Sequence, residues 1–209
     1  MLDDYALMAR AALAIYEASG DEALVQQAAA WVEVVETHFL DADSGVWYFT
    51  ADDAEALIVR TLSLTDNATP NGNGVMLDVL ARLWRITGDS RWRDRLDRAG
   101  LAFSHQVSRN FFPLATALNA MAFDMAGLDI VIVGDPGDSG TALLIDAALT
   151  AGPDRLLQVI SPDQVLPDGH PAAGKGRVDG QAAAYLCRQM VCGLPITDPA
   201  ELVKDLREG

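Results

Sequence analysis

The sequence predicts a mainly α-helical fold of repeated helical hairpins, with a short β-hairpin and a small C-terminal α/β unit. Three observations carry this. Apolar residues recur at three- and four-residue steps through most of the first 127 positions, the signature of amphipathic helices. Two of the helical pairs match one another at an offset of 68 residues. Beyond residue 127 the periodicity gives way to short runs of β-branched residues around one further helix.

Tyr5, Met8, Ala12, Ile15 and Tyr16 mark the first helix, which Gly20 stops, and Asp21 is placed to cap the second. Leu24, Ala28, Trp31, Val35 and Phe39 form the stripe of that second helix. Asp41 to Gly45 makes a turn. Val46 to Thr50 and Leu57 to Val59 read as two strands of a β-hairpin around the acidic turn Asp52-Asp53. A polar stretch, Asp66 to Gly74, leads into a third helix carrying Met76, Val79, Leu80, Leu83 and Trp84. After Gly88-Asp89 a fourth carries Trp92, Leu96, Ala99 and Phe103.

Tyr16, Ser19-Gly20-Asp21, Leu24, Ala28 and Val35 correspond to Trp84, Thr87-Gly88-Asp89, Trp92, Leu96 and Phe103. A hairpin cannot bury its own apolar stripe alone, so such repeats stack side by side. A fifth helix is expected from Phe112 to Met125. Asp129 to Gly134 then reads as a buried strand, about Thr141 to Ala151 as a helix and Leu156 to Ile160 as a second strand, together a β-α-β unit. Ser161 to Gly180 is rich in Gly and Pro and reads as a mobile loop, Ala182 to Cys187 as a strand, and Pro199 to Arg207 as a closing helix. The expected division is residues 1–127 and 128–209.

Half of the 209 residues are apolar, enough for a sizeable core. Fifteen basic against 30 acidic residues leave a net charge of −15, which repels nucleic acid and anionic membranes, so neither is expected as a partner. No run reaches the roughly 18–20 apolar residues of a membrane span. Met1-Leu2-Asp3-Asp4-Tyr5 lacks the basic start of a signal peptide, so the cytoplasm is the expected compartment.

The polar stretch concentrates candidate ligand groups. Bare amides at Gly72 and Gly74 suit an anion, whereas Asp66, Asn71 and Asn73 suit sugar hydroxyls; an N-cap and a turn account for the same residues. Asp3 and Asp4 favour a helix dipole, and in a pocket two such acids can divide general acid and base work. Gly134, Gly137 and Gly140 follow a strand, but the spacing is not that of a dinucleotide loop, a Walker lysine is missing, and Asp135 and Asp138 repel phosphate. No cofactor is expected. His38, His105 and His170 have no ligand partner four residues on, so no metal site is expected either. Cys187 and Cys192 are spaced too widely for C-x-x-C chemistry, although a tight β-turn can bring them together. Two buried thiols are the plain reading, a redox or metal role the alternative.

Five segments together resemble one family. They are Leu2-Asp3-Asp4-Tyr5-Ala6, Val46-Trp47-Tyr48-Phe49-Thr50, Ala54 through Val59-Arg60, Asn67-Ala68-Thr69-Pro70-Asn71-Gly72-Asn73, and Tyr185-Leu186-Cys187-Arg188 through Cys192 to Pro195-Ile196-Thr197-Asp198. Their order is similar to the C-terminal part of the spermatogenesis-associated, thioredoxin-domain-containing proteins, whose bacterial members include the YyaL type. The resemblance implies a partial (α/α) toroid of the six-hairpin kind found in glycosidases and sugar epimerases. It departs at Thr61-Leu62-Ser63, where the family has a Pro-Lys pair, and at Asn71, where the family has Ser.

In such a toroid the loops before inner helices line a pocket. That geometry implies convergence of Asp3 and Asp4 as acid/base groups with Tyr5, Arg60, Asp66, Thr69, Asn71 and Asn73, and with Phe111 and Phe112 as a stacking surface. The implied ligand is a small sugar-like molecule. The alternatives are a non-catalytic module that pairs with a second copy or with a missing N-terminal half, and a thiol redox role for Cys187 and Cys192.

Overall fold

A computed structural model describes residues 1–55, 58–166, 169–189 and 191–208. The described elements run α1 (Leu2–Ser19), α2 (Glu22–His38), α3 (Gly72–Thr87), α4 (Ser90–Arg109), α5 (Ala115–Ala126), β1 (Leu128–Val133), α6 (Ser139–Ala148), β2 (Arg155–Ile160), β3 (Ala183–Arg188), β4 (Val191–Cys192) and α7 (Pro199–Glu208). The chain divides into two compact units, Met1–Trp84 with Asp89–Asp124, and Arg85–Gly88 with Met125–Gly209.

In the first unit α1 buries Leu2, Ala6, Ala9, Leu13 and Tyr16, small residues alternating with large ones along one stripe. It packs on α2, whose buried face is Val25, Ala28, Val32 and Val35; Trp31 is only half-buried. The reverse turn follows from two residues. Gly20 takes φ 70°, a left-handed conformation costly for a side chain, and donates to the Tyr16 carbonyl at 2.8 Å. Asp21 then caps α2 by accepting from the Ala23 amide at 3.0 Å. At the offset noted above, Gly88 also has φ 70°, and Asp89 accepts from the Arg91 amide at 3.0 Å. The two turns are built alike.

Helix α3 is buried around most of its circumference. Val75, Met76, Leu77, Val79, Leu80, Ala81, Leu83 and Ile86 are all at most 5 % exposed, as are the polar residues Asn73, Arg82 and Arg85. Each of these polar groups has a partner. Arg82 reaches Asp78 and Glu17 and stacks on Phe123, with its carbon 4.4 Å from the ring centre. Asn73 accepts from the Trp47 amide at 2.8 Å and donates to the Trp47 and Ser63 carbonyls at 2.8 and 3.1 Å. It stands in for a strand neighbour to two passes of an irregular segment.

That segment corrects the expected β-hairpin. Val46 to Thr50 forms no strand beyond a single antiparallel bridge between Leu40 and Trp47. Ile58 and Val59 are exposed and belong to no strand, and Leu57 lies outside the described residues. The amide of Asn73 supplies the pairing that a second strand would have given.

The second unit holds a four-stranded sheet in the order β2-β1-β3-β4. β1 pairs parallel with β2 and antiparallel with β3. Parallel pairing requires a crossover, which α6 provides. β1 is buried on both faces, as its uninterrupted apolar run predicts. Ile130 and Ile132 pack with Leu144, Leu157 and Leu202 on one side, Val131 and Val133 with Ile160, Ala172 and Cys187 on the other. Asp129 is fully buried within this run and is answered by Arg85 at 2.8 Å.

The reading of Cys187 and Cys192 as two buried thiols is corrected. They are direct cross-strand partners in the β3–β4 register and form a disulfide, with no free cysteine among the described residues. The expected loop from Ser161 to Gly180 contains turns and the buried His170, while Pro167 and Asp168 lie outside the described residues.

Asn73→Ala strips three backbone groups of their buried partner, so a loss of about 2–4 kcal/mol in unfolding free energy is expected from urea denaturation. Thr69→Ala, on the exposed surface of the same stretch, should stay within about 0.5 kcal/mol.

A pH dependence follows from His170, whose Nδ1 accepts from the Ala172 amide at 3.0 Å and whose imidazole burial holds below its usual range. The unfolded ring takes up a proton at a higher pH than the folded one. Stability is therefore full above about 6.5 and falls as pH drops through that value toward the folded pKa. Urea midpoints measured between neutral and mildly acidic pH should fall more steeply for the native chain than for His170→Gln. Equal slopes would refute the assignment.

Candidate functional site

The polar stretch before α3 spends its hydrogen bonds on the fold. Asp66 accepts from the Asn71 amide at 2.9 Å with one carboxylate oxygen and from the Thr116 amide at 2.8 Å with the other. One side chain thus ties the approach to α3 to the first turn of α5. Asn71 accepts from the Asn73 amide at 3.0 Å, the geometry of an N-cap. Asp3 accepts from the Gly72 amide at 3.1 Å, and a Cβ on residue 72 would collide with that carboxylate and with Leu2. Glycine is therefore required at 72 for the two helix starts to approach. Asn73 is committed as described above. Thr69 is exposed, Asp4 is exposed and paired with the amino group of Met1, and Phe111 and Phe112 are 62 % and 85 % exposed.

Tyr5 belongs elsewhere in the same unit, in the wall of a cavity of about 320 Å³, and Arg60 bonds the backbone of two of the wall's residues, His38 and Thr50. That wall combines Tyr5, Val34, Phe39, Ala51 and Ala54 with His38, Thr50, Asp53 and Glu55. Tyr5 meets Phe39 edge to face with ring centres 5.6 Å apart.

Arg60 holds the frame. Its Nη2 donates to the His38 carbonyl at 2.8 Å, its Nε and Nη2 donate to the Thr50 carbonyl at 3.0 and 2.5 Å, and its guanidinium lies 4.3 Å above the Tyr48 ring. The Asp52 amide also donates to the His38 carbonyl, at 2.9 Å, so the end of α2 and the loop after Thr50 are fastened at one point. Leu2 joins by donating to the Phe49 carbonyl at 2.9 Å.

At the rim the His38 Nδ1 lies 2.9 Å from an Asp52 oxygen and 3.7 Å from an Asp53 oxygen. The hydrogen bond from His38 holds the Asp52 carboxyl below the usual carboxylate range. The Thr50 hydroxyl is different. Thr50 is only 9 % exposed, and its Oγ1 is buried with no hydrogen-bond partner among the described residues. An unanswered buried hydroxyl costs about 1–3 kcal/mol.

The sequence reading therefore locates one of the cavity's residues, Tyr5, together with Arg60, which fastens the segment that forms part of the wall, and misses His38, Thr50, Asp53 and Glu55. His38 at a helix end and the acidic pair Asp52-Asp53 were each visible. Their meeting depends on an irregular loop closed by Arg60, and a separation of 14 residues follows no helical or strand period. Cys187 and Cys192 lie in the second unit, in the β3–β4 hairpin.

No protein-family model matches the chain. Among curated proteins the chain is similar to spermatogenesis-associated protein 20 of Homo sapiens, 30% identical over 216 residues that cover 97% of this chain and 27% of that protein. The counterparts from Rattus norvegicus and Mus musculus are each 29% identical over 220 residues, 99% of this chain and 27% of theirs. The chain thus spans about a quarter of the length of the relatives it matches.

Proposed function

We propose that this chain, which belongs to the spermatogenesis-associated protein 20 family, binds a small polyhydroxylated, sugar-like molecule in the cavity bounded by Tyr5, His38, Phe39, Thr50, Asp53 and Glu55. The observation that carries the reading is the mixed wall of that cavity, the aromatic rings of Tyr5 and Phe39 beside the polar groups of His38, Asp53 and Glu55. Sugars present apolar C–H faces and neutral hydroxyls. Tyr5 and Phe39 suit the first; His38, Asp53 and Glu55 suit the second. Two carboxylates in the wall disfavour a phosphorylated ligand. A cavity of about 320 Å³ is at the small end of ligand sites, which fits one ring and not a chain of them.

In this reading His38, oriented by Asp52, and Asp53 take over the acid/base role expected of Asp3 and Asp4, because Asp3 is committed to the start of α3. The toroid architecture is part of the same proposal, with α1–α2 and α3–α4 as two of its hairpins.

Titration calorimetry with glucose, mannose, galactose and myo-inositol tests it. At least one should bind saturably, and Asp53→Asn should weaken that binding about fivefold or more, equivalent to about 1 kcal/mol. No saturable binding across the panel, or full affinity in Asp53→Asn, overturns it.

A second reading has its own observation. The outward face of α1 is apolar and exposed, with Leu7, Met8 and Ile15 at 44, 53 and 55 % and with Ala11, Ala14 and Ala18 between them. Such a stripe suits docking of another helix, and a second copy of the chain supplies one. Sedimentation velocity at increasing concentration should then show self-association that Met8→Glu combined with Ile15→Glu abolishes. A native chain that remains monomeric excludes this use of the face.

A further inference from the structure

We propose that the Cys187–Cys192 disulfide is a thiol–disulfide exchange site, attacked by a dithiol reductant at Cys192, and that its reduction frees β4 from the edge of the sheet. The two cysteines differ in access. Cys187 is fully buried among Val131, Val133, Ile160 and Ala172, whereas Cys192 packs at the margin of that cluster and is partly exposed. A nucleophile from solvent therefore meets Cys192 first.

The exchange balances in two steps. A thiolate of the dithiol attacks the Cys192 sulfur, the bond between the cysteines breaks, and its electron pair leaves on Cys187, which takes a proton from water. The second thiolate of the reductant then attacks the reductant's own sulfur in the mixed disulfide. That closes a cyclic disulfide and releases Cys192 as a thiolate, which is protonated in turn. The dithiol is oxidised and the protein disulfide reduced by the same electron pair. The fold accommodates the product. A buried thiol packs as a small apolar group, and the Tyr185 carbonyl lies 3.9 Å from the Cys187 sulfur, within reach of its S–H.

Little else among the described residues holds β4. It pairs with β3 at two positions, Cys187 with Cys192 and Arg188 with Val191, and Val191 is 75 % exposed. The first turn residue of the hairpin is Gln189 at φ 48°, a left-handed position that two-residue turns ordinarily fill with Gly, Asn or Asp. Its side-chain amide donates to the Met125 carbonyl at 3.2 Å, in a contact open to solvent.

The opening has a defined limit. Ile196 is 8 % exposed and exchanges two backbone hydrogen bonds with Ala184, each 2.8 Å long, so the chain is fastened again there. Between the disulfide and that bridge the Gly193 amide donates to the Leu186 carbonyl at 2.9 Å. Reduction thus releases the arm from Val191 to Pro195 and uncovers the outer edge of β3 from Leu186 to Arg188, while the pairing of β3 with β1 stays intact. The site lies wholly in the second unit and requires no ligand in the cavity.

Dithiothreitol added to the native chain at neutral pH without denaturant tests the assignment. Once reduced and freed of reductant, the folded chain is pulsed with iodoacetamide and cleaved after Arg188, which puts the two cysteines on separate peptides. Cys192 should be alkylated about tenfold or more faster than Cys187. Amide exchange followed by NMR should show Gly193 exchanging about tenfold or more faster in the reduced chain, with Ala184 and Ile196 within about twofold of the oxidised one. Cys192→Ser should reproduce that exchange pattern without reductant. Resistance to reduction until the chain unfolds, equal alkylation of the two cysteines, unchanged protection of Gly193, or loss of protection at Ile196 as well overturns the proposal.

Discussion

The first unit depends on one constraint: a helix buried nearly all round cannot leave a polar group unanswered. Helix α3 places Asn73 and Arg82 in that environment, where each unpaired donor or acceptor costs on the order of 1–3 kcal/mol. The surrounding chain is arranged to meet the demand. Trp47 and Ser63 bring backbone groups to Asn73, and Glu17 comes from α1 to Arg82. Irregular backbone between α2 and α3 is thereby given a defined course without becoming a sheet. The cavity is a product of that course, since Thr50, Ala51, Asp53, Ala54 and Glu55 all lie on the segment that Asn73 anchors from one side and Arg60 from the other.

This separation of roles explains why the most conspicuous polar stretch is not the cavity wall. Asp66, Asn71, Gly72 and Asn73 sit where three helix starts and two loop passes meet, so their hydrogen bonds go to backbone amides and carbonyls. A ligand would have to compete with local contacts that cost no association entropy. His38, Asp52 and Asp53 sit at a helix end and on a loop, partly in solvent, where a side chain can exchange water for a ligand at little cost to the fold.

Helices were legible in the sequence because their evidence is periodic. The paired Gly-Asp turns at 20–21 and 88–89 recur with the same backbone geometry, and the β-branched run of β1 is buried on both faces as such runs are. The β-hairpin was misread for a physical reason. Val46 to Thr50 has strand propensity, yet its backbone is satisfied by a side-chain amide and by single bonds to Phe39 and Thr61, which propensity does not encode. Of the cavity wall only Tyr5 was legible, with Arg60 behind it. Tyr5 and Arg60 came from kinship of motifs, whereas His38 and Asp53 are joined by tertiary closure and share no spacing rule. The disulfide needed the β3–β4 register, which sets Cys187 directly opposite Cys192.

Arg60 resolves an apparent contradiction in the rim. A guanidinium beside a group of carboxylates would ordinarily neutralise them with a bidentate pair, as Arg95 does with Glu33. Arg60 instead directs its hydrogen bonds to two backbone carbonyls and its flat face to Tyr48. It offsets the negative potential of the rim only through space, and solvent screens that effect. Asp53 and Glu55 keep their lone pairs for whatever enters the cavity. The same positive group therefore gives the rim its rigidity while leaving its acidic chemistry unspent, a combination that a lysine, with a single nitrogen and no planar fork, would not reproduce.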